Sequence, residues 1–296
     1  MTQIVEVGPR DGLQSEEAVL PVATRVELIR RLEAAGVTRI ETVSFAHPKL
    51  VPQMAGAEEI CEALGKRSFS AIGLVLNDKG LERALASDLD EINVVAYASD
   101  GYADKNSGAP ADDRNTEAAG LVARAKEAGL RTSVTISVAF GDPIDGEVPP
   151  ERVAGIAGNM ATAGVDEIAL GDTIGAAVPG DVSRVLDLVR AAAPGVRTRC
   201  HFHNTRNTGY ANALAALAAG VDTLDASVGG FGGSPFSPQA GGNIATEDLV
   251  WMLRRSGIET GLDIESLTAT GAWLANELGH DRPSAMASRA GTWPPR

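Results

Sequence analysis

The chain has 296 residues, of which 44% are hydrophobic and 22% charged, and its net charge is −13. That composition is ordinary for a globular protein, and so negative a chain is a poor partner for nucleic acid, which needs a basic face. Its apolar runs are too short to span a bilayer, and two cysteines, Cys61 and Cys200, make no disulfide framework.

The start, MTQIVEV, runs straight into a strand pattern with no basic region followed by an apolar one. No secretory leader and no membrane are therefore expected, and the cytoplasm is the expected compartment. Strands are expected at 3–7, 38–44, 69–76, 90–97, 131–139, 166–171, 197–203 and 221–228. Helical patterns fill the gaps at 22–35, 55–65, 78–87, 112–128, 150–163, 180–193, 207–219 and 245–256. One phrase recurs: AAGVTRIETV at 34–43, EAGLRTSVTI at 127–136, TAGVDEIAL at 162–170 and AAGVDTLDAS at 218–227. Each is an alanine-rich helix end, then a capping glycine, then a β-branched or leucine-rich run. Helix, glycine and strand in repetition mean βα units and a parallel sheet. Eight units predict an α/β fold, a closed (β/α)8 TIM barrel, which takes ~250 residues. An open doubly wound sheet would carry G-x-G-x-x-G after its first strand, and none is there. Residues 262–278 read as an extra C-terminal helix, and the final AGTWPPR as loose. No linker divides the chain, so one domain over 1–296 is expected.

Active-site residues of such a barrel lie at the C-terminal ends of its strands. The first strand ends in GPRDGLQ, with Arg10, Asp11 and Gln14; the second carries Glu41 and then Ser44-Phe45-Ala46-His47. The sixth ends in GDTIG, with Asp172 and Thr173, and the seventh in CHFHNT, with His201 and His203. The eighth leads into GGFGGSPFSPQAGG (229–242), which holds six glycines and no charge, and then to Asn243 and Glu247. His201 and His203 alternate on one strand, so both face the barrel mouth, about 7 Å apart along the strand. Two strand-end histidines bonded to each other are the plainer reading, but this setting favours a metal. With oxygen donors from Asp11 and Asn243, Mg2+ or Mn2+ fits and Co2+ can substitute; Zn2+ on two histidines and an aspartate is the runner-up.

The stretches VEVGPRDGLQSE (5–16), IETVSF (40–45), LGDTIG (170–175), H-x-H (201–203) and GGNIATEDLVWML (241–253) together closely resemble the 3-hydroxy-3-methylglutaryl-CoA lyase family of the DRE-TIM metallolyase superfamily. The resemblance runs from residue 3 to about residue 278. It implies a divalent metal held by Asp11, His201, His203 and Asn243, with Arg10, Asp11 and Glu41 as the superfamily's signature residues. It also implies an acyl-CoA substrate cleaved between C2 and C3, with a homodimer or higher homo-oligomer as the expected assembly. In that chemistry the metal eases deprotonation of the C3 hydroxyl, Arg10 stabilises the enolate oxygen, and Glu41 orients Arg10. Asp172 positions a group or relays a proton; the competing reading is a helix cap. Gln14, Thr173, Lys105 and Asn106 are candidate substrate contacts, the last two competing with a solvated loop. Glu247 reads as a first-turn helix residue rather than a catalyst.

The glycine-rich stretch matches the family's mobile active-site loop, where glycine allows close backbone approach. There the family carries a cysteine in G-G-C-P, whereas this chain has Gly232-Gly233-Ser234-Pro235. A thiol with a pKa of about 8.5 suits proton exchange with an enolate; a serine hydroxyl is a far weaker acid, so Ser234 does not simply inherit that role. Cys61 lies in a helix, and Cys200 points away from the metal side of its strand. Thr135 where the family usually has tyrosine, and Phe202 and Asn204 in H-F-H-N, suggest a pocket altered in polarity and volume. Three readings result: a lyase acting on 3-hydroxy-3-methylglutaryl-CoA; a lyase or condensing enzyme for another hydroxyacyl-CoA such as citramalyl-CoA; and a catalytically impaired homologue that binds metal and CoA. Retention of Arg10, Asp11, Glu41 and all four implied ligands weighs against the third.

Overall fold

A computed structural model describes residues 2–233, 242–280 and 284–290. Eight parallel strands close into a barrel in chain order: β1 (Gln3–Glu6), β2 (Arg39–Ser44), β3 (Ser70–Val75), β4 (Glu91–Tyr97), β5 (Arg131–Ser137), β6 (Glu167–Asp172), β7 (Arg197–Phe202) and β8 (Thr223–Ala226). The helices are α1 (Val22–Ala34), α2 (Ala57–Leu64), α3 (Asp78–Leu85), α4 (Asp100–Ser107), α5 (Ala111–Glu127), α6 (Pro150–Thr162), α7 (Pro179–Ala192), α8 (Gly209–Ala218), α9 (Thr246–Arg255) and α10 (Ile264–Leu278). The expected (β/α)8 barrel with an extra C-terminal helix is present. β1 closes on β8 with Gln3 opposite Thr223 and Glu6 opposite Ala226.

The recurring phrase works as expected. Gly36, Gly129, Gly164 and Gly220 have φ of 88°, 86°, 88° and 80°, the left-handed conformation that ends a helix cheaply only at glycine. Outward strand residues meet the helices in one core, where Leu28, Ile29 and Leu32 of α1 and Ile40 and Val43 of β2 are buried.

The strand ends differ from expectation. β1 stops at Glu6, and residues Gly8–Gly12 form a single π-helical turn. β5 stops at Ser137 because Val138 has φ 52°, a costly conformation for a β-branched residue; its N–H donates to Thr173 Oγ1 at 2.8 Å. β8 stops at Ala226, and Val228–Gly230 bend into a short 3-10 turn. The helix α4 was not expected from sequence: SDGYADKNSG has no apolar period, and the helix buries only Tyr102 and Ala103. Lys105 and Asn106 therefore lie on a helix rather than in a solvated loop.

Candidate active site

The π turn after β1 stacks three amides, of Arg10, Asp11 and Gly12, on the carbonyl of Val7 at 3.2, 2.7 and 3.1 Å. That turn aims Arg10 and Asp11 into the barrel mouth. Arg10 is forked between two carboxylates, with one guanidinium nitrogen 2.7 Å from Asp11 Oδ1 and the other 2.6 Å from Glu41 Oε2. Glu41 is fully buried, and its other oxygen accepts from Asn93 Nδ2 at 3.0 Å. Asn93 in turn bonds Thr135 Oγ1. Burial works against the Arg10 charge, but Glu41 and Asp11 outweigh it and hold the pKa above its ordinary value.

His201 and His203 face the same space, and their Nε2 atoms are 3.1 Å apart. His201 Nδ1 lies 3.2 Å from Asp225 Oδ2, and Asp225 Oδ1 lies 3.0 Å from Arg199 Nε. That pairing puts a proton on Nδ1 and turns the Nε2 lone pair to the cavity. Asp11 Oδ2 is 3.8 Å from His201 Nε2, and the donor atoms of Asp11, His201 and His203 all fall within 4.8 Å of one another. Burial would raise Asp11, but Arg10, His201, His203 and the bond from Asn243 hold it at about 2. Burial, with the neighbouring His201, pushes His203 down to about 4, which keeps its imidazole neutral.

Asn243 arrives from far along the chain. The segment 242–245 lies across the ends of β7 and β8: Ile244 N–H donates to Phe202 O at 3.2 Å, Asn204 N–H to Gly242 O at 3.0 Å, and Ser227 N–H to Ile244 O at 3.1 Å. The Asn243 amide then donates to Asp11 Oδ2 at 2.8 Å and to Phe231 O at 3.0 Å. Its Oδ1 and the His203 Nδ1 are buried without a hydrogen-bond partner among the described residues, and a buried acceptor left unpaired is costly.

A cavity of about 550 Å³ opens on these groups. Arg10, Asp11, Gln14, Asn106, Thr173, His201 and His203 line it, as does Thr135. Asn106 also donates to the Tyr97 hydroxyl at 2.7 Å. Lys105 is exposed on α4 and does not line the cavity. Asp172 does not reach it either. Asp172 sits opposite Phe202 and Gly171 opposite His201, so by alternation Asp172 shares the outward face of the sheet. Its Oδ1 accepts from Ala176 and Ala177 N–H at 2.8 and 3.1 Å, tying the turn ahead of α7. Burial lifts its pKa to about 6. Phe202 is outward too, packing on Phe140 with ring centroids 6.2 Å apart. Asn204 accepts from Gly209 N–H at the start of α8. The expected effect of these two residues on the pocket is therefore not found; Thr135 alone of the three faces the cavity. Cys200 points outward as expected, opposite Leu170, and burial raises its pKa. Ser234 lies outside the described residues; Gly233, just before it, reaches the cavity rim and accepts from Ser15 Oγ at 3.0 Å.

Sequence reasoning missed Asp225 and Asn93. Each interrupts an apolar strand run (TLDA, EINVVAY), and a polar residue inside a buried strand was the available signal. Glu247 lies in the first turn of α9 as expected, and it is fully buried.

The HMGL-like family model matches residues 1–273. The chain is 44% identical to a (R)-citramalyl-CoA lyase of Chloroflexus aurantiacus, over 97% of this chain and 94% of that one. It is 40% identical to a hydroxymethylglutaryl-CoA lyase of Pseudomonas mevalonii, over 98% and 95%. A solved HMG-CoA lyase of Acinetobacter baumannii, in complex with coenzyme A and 3-methylmalate, superposes with a TM-score of 0.93 at 33% identity, over 100% of this chain and 98% of that one. With the barrel and its mouth arranged in this way, the chain belongs to the HMGL-like family and is a carbon–carbon lyase.

Proposed function

We propose that this chain, as one domain over 1–296, cleaves the C2–C3 bond of a 3-hydroxyacyl-CoA bearing a carboxylate near C3, using a divalent ion held by Asp11, His201, His203 and Asn243. The observation that carries the reading is the donor set at the cavity floor. The Nε2 atoms of His201 and His203, 3.1 Å apart on one side of the cavity, would both reach a single ion. The Asn243 side chain, whose Nδ2 lies 2.8 Å from Asp11 Oδ2, has a buried Oδ1 without a partner among the described residues, the kind of acceptor that a cation satisfies. Mixed nitrogen and oxygen donors suit Mg2+ or Mn2+, with Co2+ or Zn2+ as substitutes.

When bound, such an ion supplies a Lewis acid that favours loss of the C3 hydroxyl proton and orients the nearby carboxylate. Collapse of the C3 alkoxide sends the C2–C3 electron pair onto the thioester, giving an enolate. Arg10, fixed by Glu41 and Asp11, presents its charge to that developing oxyanion without reorganising. Asp225 fixes the ring of His201. Gln14, Asn106 and Thr173 line the walls against which the acyl chain lies. A proton must then reach C2 to release the CoA thioester.

Citramalyl-CoA is favoured over 3-hydroxy-3-methylglutaryl-CoA by the 44% identity to a citramalyl-CoA lyase and by the serine at position 234. 3-Methylmalate, bound in the A. baumannii relative, likewise carries a hydroxyl beside a carboxylate. The test is turnover of both thioesters with Mg2+ and Mn2+, reading pyruvate from one and acetoacetate from the other. Pyruvate release above acetoacetate release is expected. Dialysed His203→Ala should lose both metal and turnover; unchanged metal content in that variant refutes the ligand set. A cytoplasmic homo-oligomer is the expected working form; among the described residues no helix is long and apolar enough to cross a membrane.

A further inference from the structure

Glu6, the last residue of β1, is fully buried. Its Oε1 accepts from Gly8 N–H at 2.8 Å and from Val228 N–H at 2.9 Å, and its Oε2 accepts from the Thr246 hydroxyl at 2.6 Å. The three donors belong to three separate segments. Gly8 opens the turn that carries Arg10 and Asp11. Val228 opens the turn that enters the glycine-rich stretch. Thr246 begins α9, just after Asn243. The fit is tight, since a Cβ on Gly8 would lie 2.7 Å from Glu6 Oε1.

The same three segments meet again at the cavity face, where the Asn243 amide bonds Asp11 Oδ2 and Phe231 O. His201 and His203 need no such help, because a single strand spaces them. Asp11 and Asn243 are 232 residues apart in the chain. Their separation depends on how the turn after β1 and the start of α9 are held together from behind.

We propose that Glu6 is a positioning residue: its carboxyl ties the Asp11 turn to the Asn243 segment and so sets the spacing of the two oxygen donors of the cation site. The inference rests on the metal reading above. Three bonds converge on one buried side chain, two of them from backbone N–H groups, so loss of the carboxyl frees both segments together. An amide of the same shape preserves the junction: its oxygen accepts the two N–H groups, and its NH2 meets the Thr246 hydroxyl, which turns to accept.

The test is Mn2+ titration of the dialysed full-length protein, followed by the electron paramagnetic resonance signal of free Mn2+. The parent is expected to bind one Mn2+ per chain. Glu6→Ala should weaken binding about 10- to 100-fold, the usual cost of losing a residue that orients ligands, while Glu6→Gln stays close to the parent. Thr246→Val, which removes only the hydroxyl, should fall between the two. A side chain that merely stabilised the fold would lower the melting temperature and leave the Mn2+ affinity of the folded protein unchanged. Parent-like affinity in folded Glu6→Ala overturns the positioning role; if that variant does not fold, parent-like affinity in Thr246→Val overturns it instead. Absence of Mn2+ binding by the parent overturns the metal reading itself, and this proposal with it.

Discussion

Arg10 holds its place because two carboxylates grip it, Asp11 of its own turn at 2.7 Å and Glu41 of β2 at 2.6 Å. Its charge is needed most as the thioester oxygen becomes an enolate, so the Arg10→Gln variant should lose about 10²–10³-fold in kcat with little change in KM. An effect on KM alone would remove Arg10 from the chemistry. Ser234 poses the opposite question, since a hydroxyl is a far weaker acid than a thiol. A matched general acid is worth about 10²–10⁴ in rate, so Ser234→Cys should raise cleavage of 3-hydroxy-3-methylglutaryl-CoA and make the protein sensitive to thiol reagents. Neither buried thiol competes as acid: burial raises Cys61 to about 11 and Cys200 beyond it. If the parent already cleaves that substrate at the rate of the cysteine variant, the proton comes from another group. Residues at strand ends were legible in the sequence because the barrel restricts where a site can be. Asp172 shows the limit: it sits at a strand end, but one step out of phase with the inward face.

At the scale of elements, the turn after β8 is held by two carboxyls on successive amides. Val228 N–H donates to Glu6, and Gly229 N–H to both oxygens of Glu247 at 3.1 Å. Glu247 also accepts the Ser284 hydroxyl, and a Cβ on Gly271 of α10 would lie 2.6 Å from it. Burial pushes the Glu247 carboxyl up to about 8, against the pull of Ser284 and the Gly229 amide. A folded pKa raised above the unfolded value of about 4.3 means that its contribution to stability is whole below that value. The contribution is lost as pH rises through about 8. Melting temperatures across pH 6 to 9 should therefore fall more steeply in the parent than in Glu247→Gln. Equal slopes would place the titration elsewhere. Sequence periodicity marked Glu247 only as a first-turn residue; its burial is decided by α10 and by Ser284, which the local pattern does not contain.

For the whole molecule, the notable feature is a barrel interior built from charges. Arg39 bonds Glu91 at 2.8 Å and Glu167 at 2.7 Å. Arg199 lies 3.7 Å from Glu167 and 3.0 Å from Asp225, which reaches His201. The ion pairs thus run from the base of the barrel to the site. Burial would raise Glu167, but Arg39 and Arg199 hold it at about 2. Breaking one partner of a buried network strands the others, at a cost of about 3–5 kcal/mol. Arg39→Met should accordingly lower the melting temperature by roughly 10 °C. Mn2+ affinity of the folded protein should hold, since Arg39 lies at the far end. A stable Arg39→Met would show that the network serves specificity rather than stability.

The sequence by itself determined the architecture and which end of the barrel gathers Arg10, Asp11, Glu41, His201 and His203. A capping glycine before four of the strand runs, eight βα units and Arg10, Asp11, Glu41, His201 and His203 toward the strand ends are local signals, set by backbone sterics and the two-residue period of a strand. Tertiary structure decided what depends on pairing between distant segments. A two-residue period says which residues of one strand share a face but not how neighbouring strands are registered, and so it could not separate Asp172 from His201. Asn243 reaches His203 only because its segment adds to the ends of β7 and β8. Glu6 and Asp225 look like polar interruptions of short strands until the barrel closes. Closure removes water from them, and their partners then have to come from other strands and turns.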